Sequence, residues 1–102
     1  MSILHTVNKS PFERPSLDSC LKFAQPGADV LLLEDGVYAA LRDSSVAPRV
    51  MEALGRVKIY ALGPDLKARG IAEGRLIPGV GVIDYAAFVD LAVANAKVHA
   101  WL

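Results

Sequence analysis

The sequence has 102 residues, 53% of them hydrophobic, and its 11 basic and 11 acidic residues cancel to a formal net charge of zero. That balance argues against a nucleic-acid footprint or an anionic-membrane surface, and it favours association with other protein surfaces. One cysteine excludes an internal disulfide and leaves no zinc-ligand spacing to read. No segment reaches the ~20 apolar residues that would span a bilayer, and the opening lacks an export signal, so the cytoplasm is the expected compartment.

Residues 3–7 alternate apolar and polar in strand-forming types, and two prolines break the pattern over 8–15. Ser16 is placed to cap a helix whose apolar positions Leu17, Cys20, Leu21 and Ala24 follow the i, i+3, i+4, i+7 rule, ended by Pro26 and Gly27. The aliphatic run over 30–33 predicts a strand covered on both faces. Glu34, Asp35 and Gly36 then predict a tight turn with Gly36 at positive φ, followed by a short helix over 37–41.

After a polar break at 42–45, the pattern predicts a helix over 46–54 with Pro48 in its first turn and Gly55 closing it. Residues 58–63 alternate as a strand, and Pro64 and Asp65 start a brief helical turn that Gly70 stops. Residues 71–81 read as a loop leading into a short strand over 80–83. Asp84 caps a helix over 85–96 that is apolar nearly all round, which asks for cover on two sides, the second expected from another subunit. A last edge strand is expected over 98–102. Strands alternating with helices predict one α/β domain over 1–102, a mainly parallel sheet sandwiched between helices.

Four groups of residues are candidates for chemistry. Cys20 is the one nucleophile able to carry sulfur as a persulfide, set against its place on an inward helical stripe. Glu34 and Asp35 stand at a strand's carboxyl end, where α/β sheets gather their sites, but a magnesium site would need a third carboxylate and a lysine from other strand ends, so a solvated turn is the expectation and no metal is assigned. His5 and His99 are expected as half-buried histidines bonded to backbone, without catalytic duty. Lys67, Arg69 and Arg75 form a basic cluster expected to face solvent. The two glycines of the 79–84 stretch lack the third of a dinucleotide loop, and no glycine-rich strand-to-helix loop supports a phosphate-binding module.

Five pieces in order, LHTVNKSP at 4–11, LLLEDGVYAAL at 31–41, KIYALGPDLKARG at 58–70, IDYAAFVDL at 83–91 and a terminal HAWL, give the chain a family likeness over its whole length. It resembles the DsrH/TusB family, the smallest subunit of the heterohexameric sulfur-relay complexes DsrEFH and TusBCD. The resemblance implies a DsrE-like fold, an accessory place in a sulfurtransferase complex, and cytoplasmic persulfide traffic without a cofactor. The implied partners are DsrE/TusD-like and DsrF/TusC-like subunits and a DsrC/TusE-like carrier protein, with no direct nucleic-acid or membrane contact. TusB-type members serve 2-thiolation of the tRNA wobble uridine, and DsrH-type members of sulfur-oxidising bacteria have a cysteine in the first helix. Cys20 therefore directs the expectation to the DsrH branch and dissimilatory sulfur oxidation, with Cys20 as a secondary sulfur acceptor behind a principal cysteine on the DsrE/TusD subunit. The TusB branch, or a purely structural subunit with no sulfur-carrying residue, is the alternative.

Overall fold

The computed structural model describes residues 2–102. Five strands, β1 (Ile3–Val7), β2 (Asp29–Leu32), β3 (Lys58–Leu62), β4 (Gly81–Ile83) and β5 (Lys97–Trp101), form one sheet in the order β4-β3-β2-β1-β5. Every neighbouring pair is parallel. The chain thus adds β2, β3 and β4 in one direction from β1, then crosses the whole sheet to lay β5 on the other side of β1. Parallel crossovers are right-handed, so the reversal of direction also reverses the face that receives the connecting helix.

The first face carries α1 (Ser16–Phe23), α2 (Ala47–Ala53) and α3 (Gly63–Ala68), and the opposite face carries α4 (Tyr85–Ala94). The sheet side chains sort accordingly, as their period of two requires. Val7, Val30, Leu32, Ile59 and Ala61 join Leu17, Cys20, Leu21 and Val50 in the larger core. Leu4, Leu31 and Leu62 form the smaller one, against Phe88, Leu91 and Ala92 of α4.

Local chemistry accounts for most boundaries. Asp84 accepts a hydrogen bond from the Ala87 N–H at 2.9 Å, the N-cap expected for α4. α4 ends two residues earlier than its apolar pattern, because the Asn95 side chain turns back to donate to the Leu91 carbonyl and to Asp29. Pro48 lies in the first turn of α2, where its missing N–H costs nothing. Ser16 is not a cap: its hydroxyl donates to the Leu102 carbonyl at 3.0 Å, tying the start of α1 to the far end of the chain.

Two further expectations are corrected. Gly36 is not the positive-φ residue of a tight turn; Glu34 takes that conformation at φ 49°, and Glu34–Ala40 winds as a 3-10 helix. The 71–81 stretch is more than a loop. Glu73–Arg75 makes one 3-10 turn, and Leu76 and Ile77 are buried behind backbone bonds from Arg42 to Arg75 and from Ile77 to Ala40. Its lack of periodicity reflects packing through isolated residues rather than through one face.

α4 meets the sheet on one side only. Tyr85, Val89 and Val93, spaced four apart and so aligned on one helix face, are 57%, 59% and 80% exposed, and none of the helix's residues is fully buried. Val98 of β5 adds a further exposed apolar side chain.

Candidate functional site

The carboxyl ends of β1, β2 and β3 are laced together by polar side chains. Asn8 Nδ2, just past β1, donates to Glu34 Oε1 at 3.2 Å, and the Glu34 backbone N–H donates to Asp65 Oδ2 at 2.6 Å. Arg69 donates from Nε and Nη2 to Asp35 Oδ1 at 3.1 and 2.9 Å, and from Nη1 to the Asp65 carbonyl. The hydrogen bond to Asp35 raises the Arg69 pKa above its ordinary value, so the guanidinium is a fixed cation. Arg69 therefore leaves the expected solvated cluster and becomes the counter-ion of this edge.

Asp65 is the carboxylate that sequence alone does not bring to Glu34 and Asp35. Its oxygen is already engaged by a backbone N–H, and Asp35 is engaged by Arg69. Among the described residues no group of three or more His, Cys, Asp or Glu side chains is arranged to hold a metal ion. This edge holds the strand ends in position, and its strained point is Glu34, whose positive φ is unusual outside glycine and asparagine.

Cys20 lies halfway along α1 with 0% exposure, packed in the larger core with Leu17 and Leu21. Burial pushes the thiol up to about 12. At neutral pH the nucleophilic thiolate is scarce, and the side chain has no exposure through which a donor could reach it. The inward stripe is as expected from the pattern; a thiol bordering open space is not what the isolated chain has.

His99 is half-buried as expected, but His5 differs from expectation. His5 is 1% exposed, and its Nδ1 accepts from the Trp101 indole N–H at 3.0 Å rather than bonding to backbone. Parallel register sets His5 opposite His99 and Val7 opposite Trp101, so three rings share one face of the β1–β5 seam. The His99 and Trp101 rings stack with centroids 4.3 Å apart and planes 6° from parallel, and Phe23 closes the group edge-on. Burial, and then the neighbouring His99, lower the His5 pKa, so His5 is neutral at pH 7. Alternation in HAW puts His99 and Trp101 on one face of their strand, which is the part of this group that sequence shows.

A family described as DsrH like protein matches residues 9–98. The chain is 40% identical to Protein TusB of Erwinia tasmaniensis, over 97% of this chain and all of that one. It is 37% identical to Protein TusB of Pectobacterium parmentieri with the same coverage. In solved structures, the crystal structure of the ychN protein from E. coli superposes with a TM-score of 0.85 at 22% identity, covering 98% of each chain. A structure from Methanobacterium thermoautotrophicum does so with a TM-score of 0.75 at 20% identity, covering 96% of this chain and 97% of that one. These two likenesses are of fold alone. The family match over most of the chain, together with relatives of 37–40% identity along their full length, means that this chain belongs to the DsrH/TusB family.

Proposed function

We propose that this chain is the TusB-type subunit of a cytoplasmic sulfur-relay complex that serves 2-thiolation of the tRNA wobble uridine. The observation that carries the reading is full-length similarity to proteins named TusB. The preference for dissimilatory sulfur oxidation rested on Cys20, and a thiol with no exposure gives that preference no support. The partners in this reading are TusD-like and TusC-like subunits, with a TusE-like carrier receiving the sulfur.

The chain's contribution is a surface. Tyr85, Val89 and Val93 present a ridge of i, i+4, i+8 side chains, the geometry that packs into the groove of a facing helix. A related subunit seated there would supply the second cover that α4 lacks. Cys20 enters as a secondary acceptor that becomes reachable only when α1 opens. A subunit with no sulfur-carrying residue is the second reading, favoured by the complete burial of that side chain.

Deletion of the gene in its native cell, followed by mass spectrometry of tRNA nucleosides, tests the pathway. Loss of 2-thiouridine, restored by wild type but not by Val89→Glu with Val93→Glu, is the expected result. Unchanged 2-thiouridine in the deletion strain overturns the reading. Intact mass of the assembled subunit after a persulfide donor, wild type against Cys20→Ser, separates the two roles of the cysteine.

A further inference from the structure

The two edges of the sheet are unlike. β4 is three residues long, follows Pro78 and Gly79, and has none of its residues exposed. β5, the opposite edge, keeps one-to-one register with β1 over five residues without a bulge, contains no proline or glycine, and has its single lysine at its start. Lys97, Val98 and Ala100 are exposed. A strand in that state presents a row of unpaired backbone N–H and C=O groups, a template for another strand; short length, proline and bulges are the devices that blunt such an edge, and β5 has none of them. We propose that a second copy of this chain pairs antiparallel with β5 about a two-fold axis at His99, joining the two sheets into one. The proposal is independent of the sulfur-relay reading.

The side chains of β5 fit their own image. Register sets Val98 opposite Leu4 and Ala100 opposite Thr6, on the sheet face that carries α4. His99 and Trp101 stand opposite His5 and Val7, on the face that carries α1. A two-fold centred on His99 brings Val98 against Ala100 of the second copy and Lys97 against Trp101 of the second copy, each pair occurring twice. The first pair covers Val98, which is 47% exposed. The second sets an ammonium beside an indole ring, and no two like charges stand directly opposite one another.

Closure selects this arrangement over the alternative. Head-to-tail addition of β5 to the β4 edge of a second copy would leave a free edge at each end and grow a fibre, whereas the antiparallel pairing consumes both β5 edges and stops at two chains. Main-chain hydrogen bonds supply the attraction, as in other cases of strand addition, and the alternate side chains fix the register. A five-residue seam is small, so the association belongs among weak, reversible interfaces.

Sedimentation of the full chain from about 10 μM to about 1 mM should show a monomer–dimer equilibrium. Val98→Lys enters the seam twice and puts like charges near the axis, so it should weaken the dimer roughly tenfold, while its exposed position leaves the fold intact. Cross-linking reads the register. In a Cys20→Ala background, Val98→Cys chains mixed with Ala100→Cys chains should form disulfide-linked pairs on mild oxidation, because direct opposites lie about 4.5–5.5 Å apart at Cβ. Either chain alone should link much more slowly, since its two thiols are then diagonal neighbours at about 7–8 Å. Monomer at every concentration, an unchanged dimer in Val98→Lys, or mixed chains that link no faster than either chain alone overturns the proposal.

Discussion

Gly36 packs its Cα directly against the carbonyl oxygen of Val7, leaving no space for a Cβ. That oxygen is also held by the Leu33 N–H at 3.1 Å, the bond that extends β1–β2 pairing past the end of β2. Neither partner is free to move. Gly36→Ala should destabilise the fold by about 1–3 kcal/mol or more, through overlap with backbone rather than through a disfavoured φ. Chemical denaturation of the variant checks this, and a stability within a few tenths of a kcal/mol of wild type would contradict the close approach.

The Cys20 thiol should resist alkylation. With its pKa raised to about 12, the thiolate is scarce at pH 8 and the sulfur is covered, so iodoacetamide should react only through opening of α1. The alkylation rate should rise sharply with sub-denaturing urea. Rapid modification in native buffer would show a thiol more open than the structure has it.

Acid should loosen the β1–β5 seam. The His5 pKa is lowered in the fold, so between its ordinary value of about 6.5 and the lower folded value the unfolded chain binds more protons, and stability falls as pH falls through that window. Protonation also turns Nδ1 into a donor facing the Trp101 donor, breaking their bond. Trp101 fluorescence should report the change below pH 6.5, and His5→Phe should flatten the stability profile there.

Asp84→Ala should cost about 1 kcal/mol by removing the N-cap of α4. The effect on thermal unfolding should be accompanied by weaker association, since α4 carries the exposed ridge. An unchanged unfolding midpoint would mean that the cap is satisfied by water at no loss.

The strands and helices were legible in sequence because aliphatic runs and helical spacing report burial directly. Gly36 was misread because a glycine kept for a close approach and one kept for positive φ look alike in sequence, and the positive φ fell on Glu34, a residue type that gives no warning of it. The ring group at His5 was out of reach for a different reason. His5 and Trp101 are 96 positions apart, and only the strand order, which alternation does not encode, brings β5 beside β1. Cys20 shows the converse: the helical pattern placed it inward correctly, and only the family resemblance suggested a more open thiol.

The return of β5 to the side of β1 sets a schedule for the molecule's birth. On the ribosome, the segment through β4 can assemble its larger core first, while β1 still offers an unpaired edge and Leu4, Leu31 and Leu62 lack their helix. Only when α4 and β5 emerge is that edge capped and that face covered, and β1 passes from an outer strand to an inner one in the same event. A stall or truncation before residue 97 therefore leaves a sticky half-product instead of a slightly shorter protein.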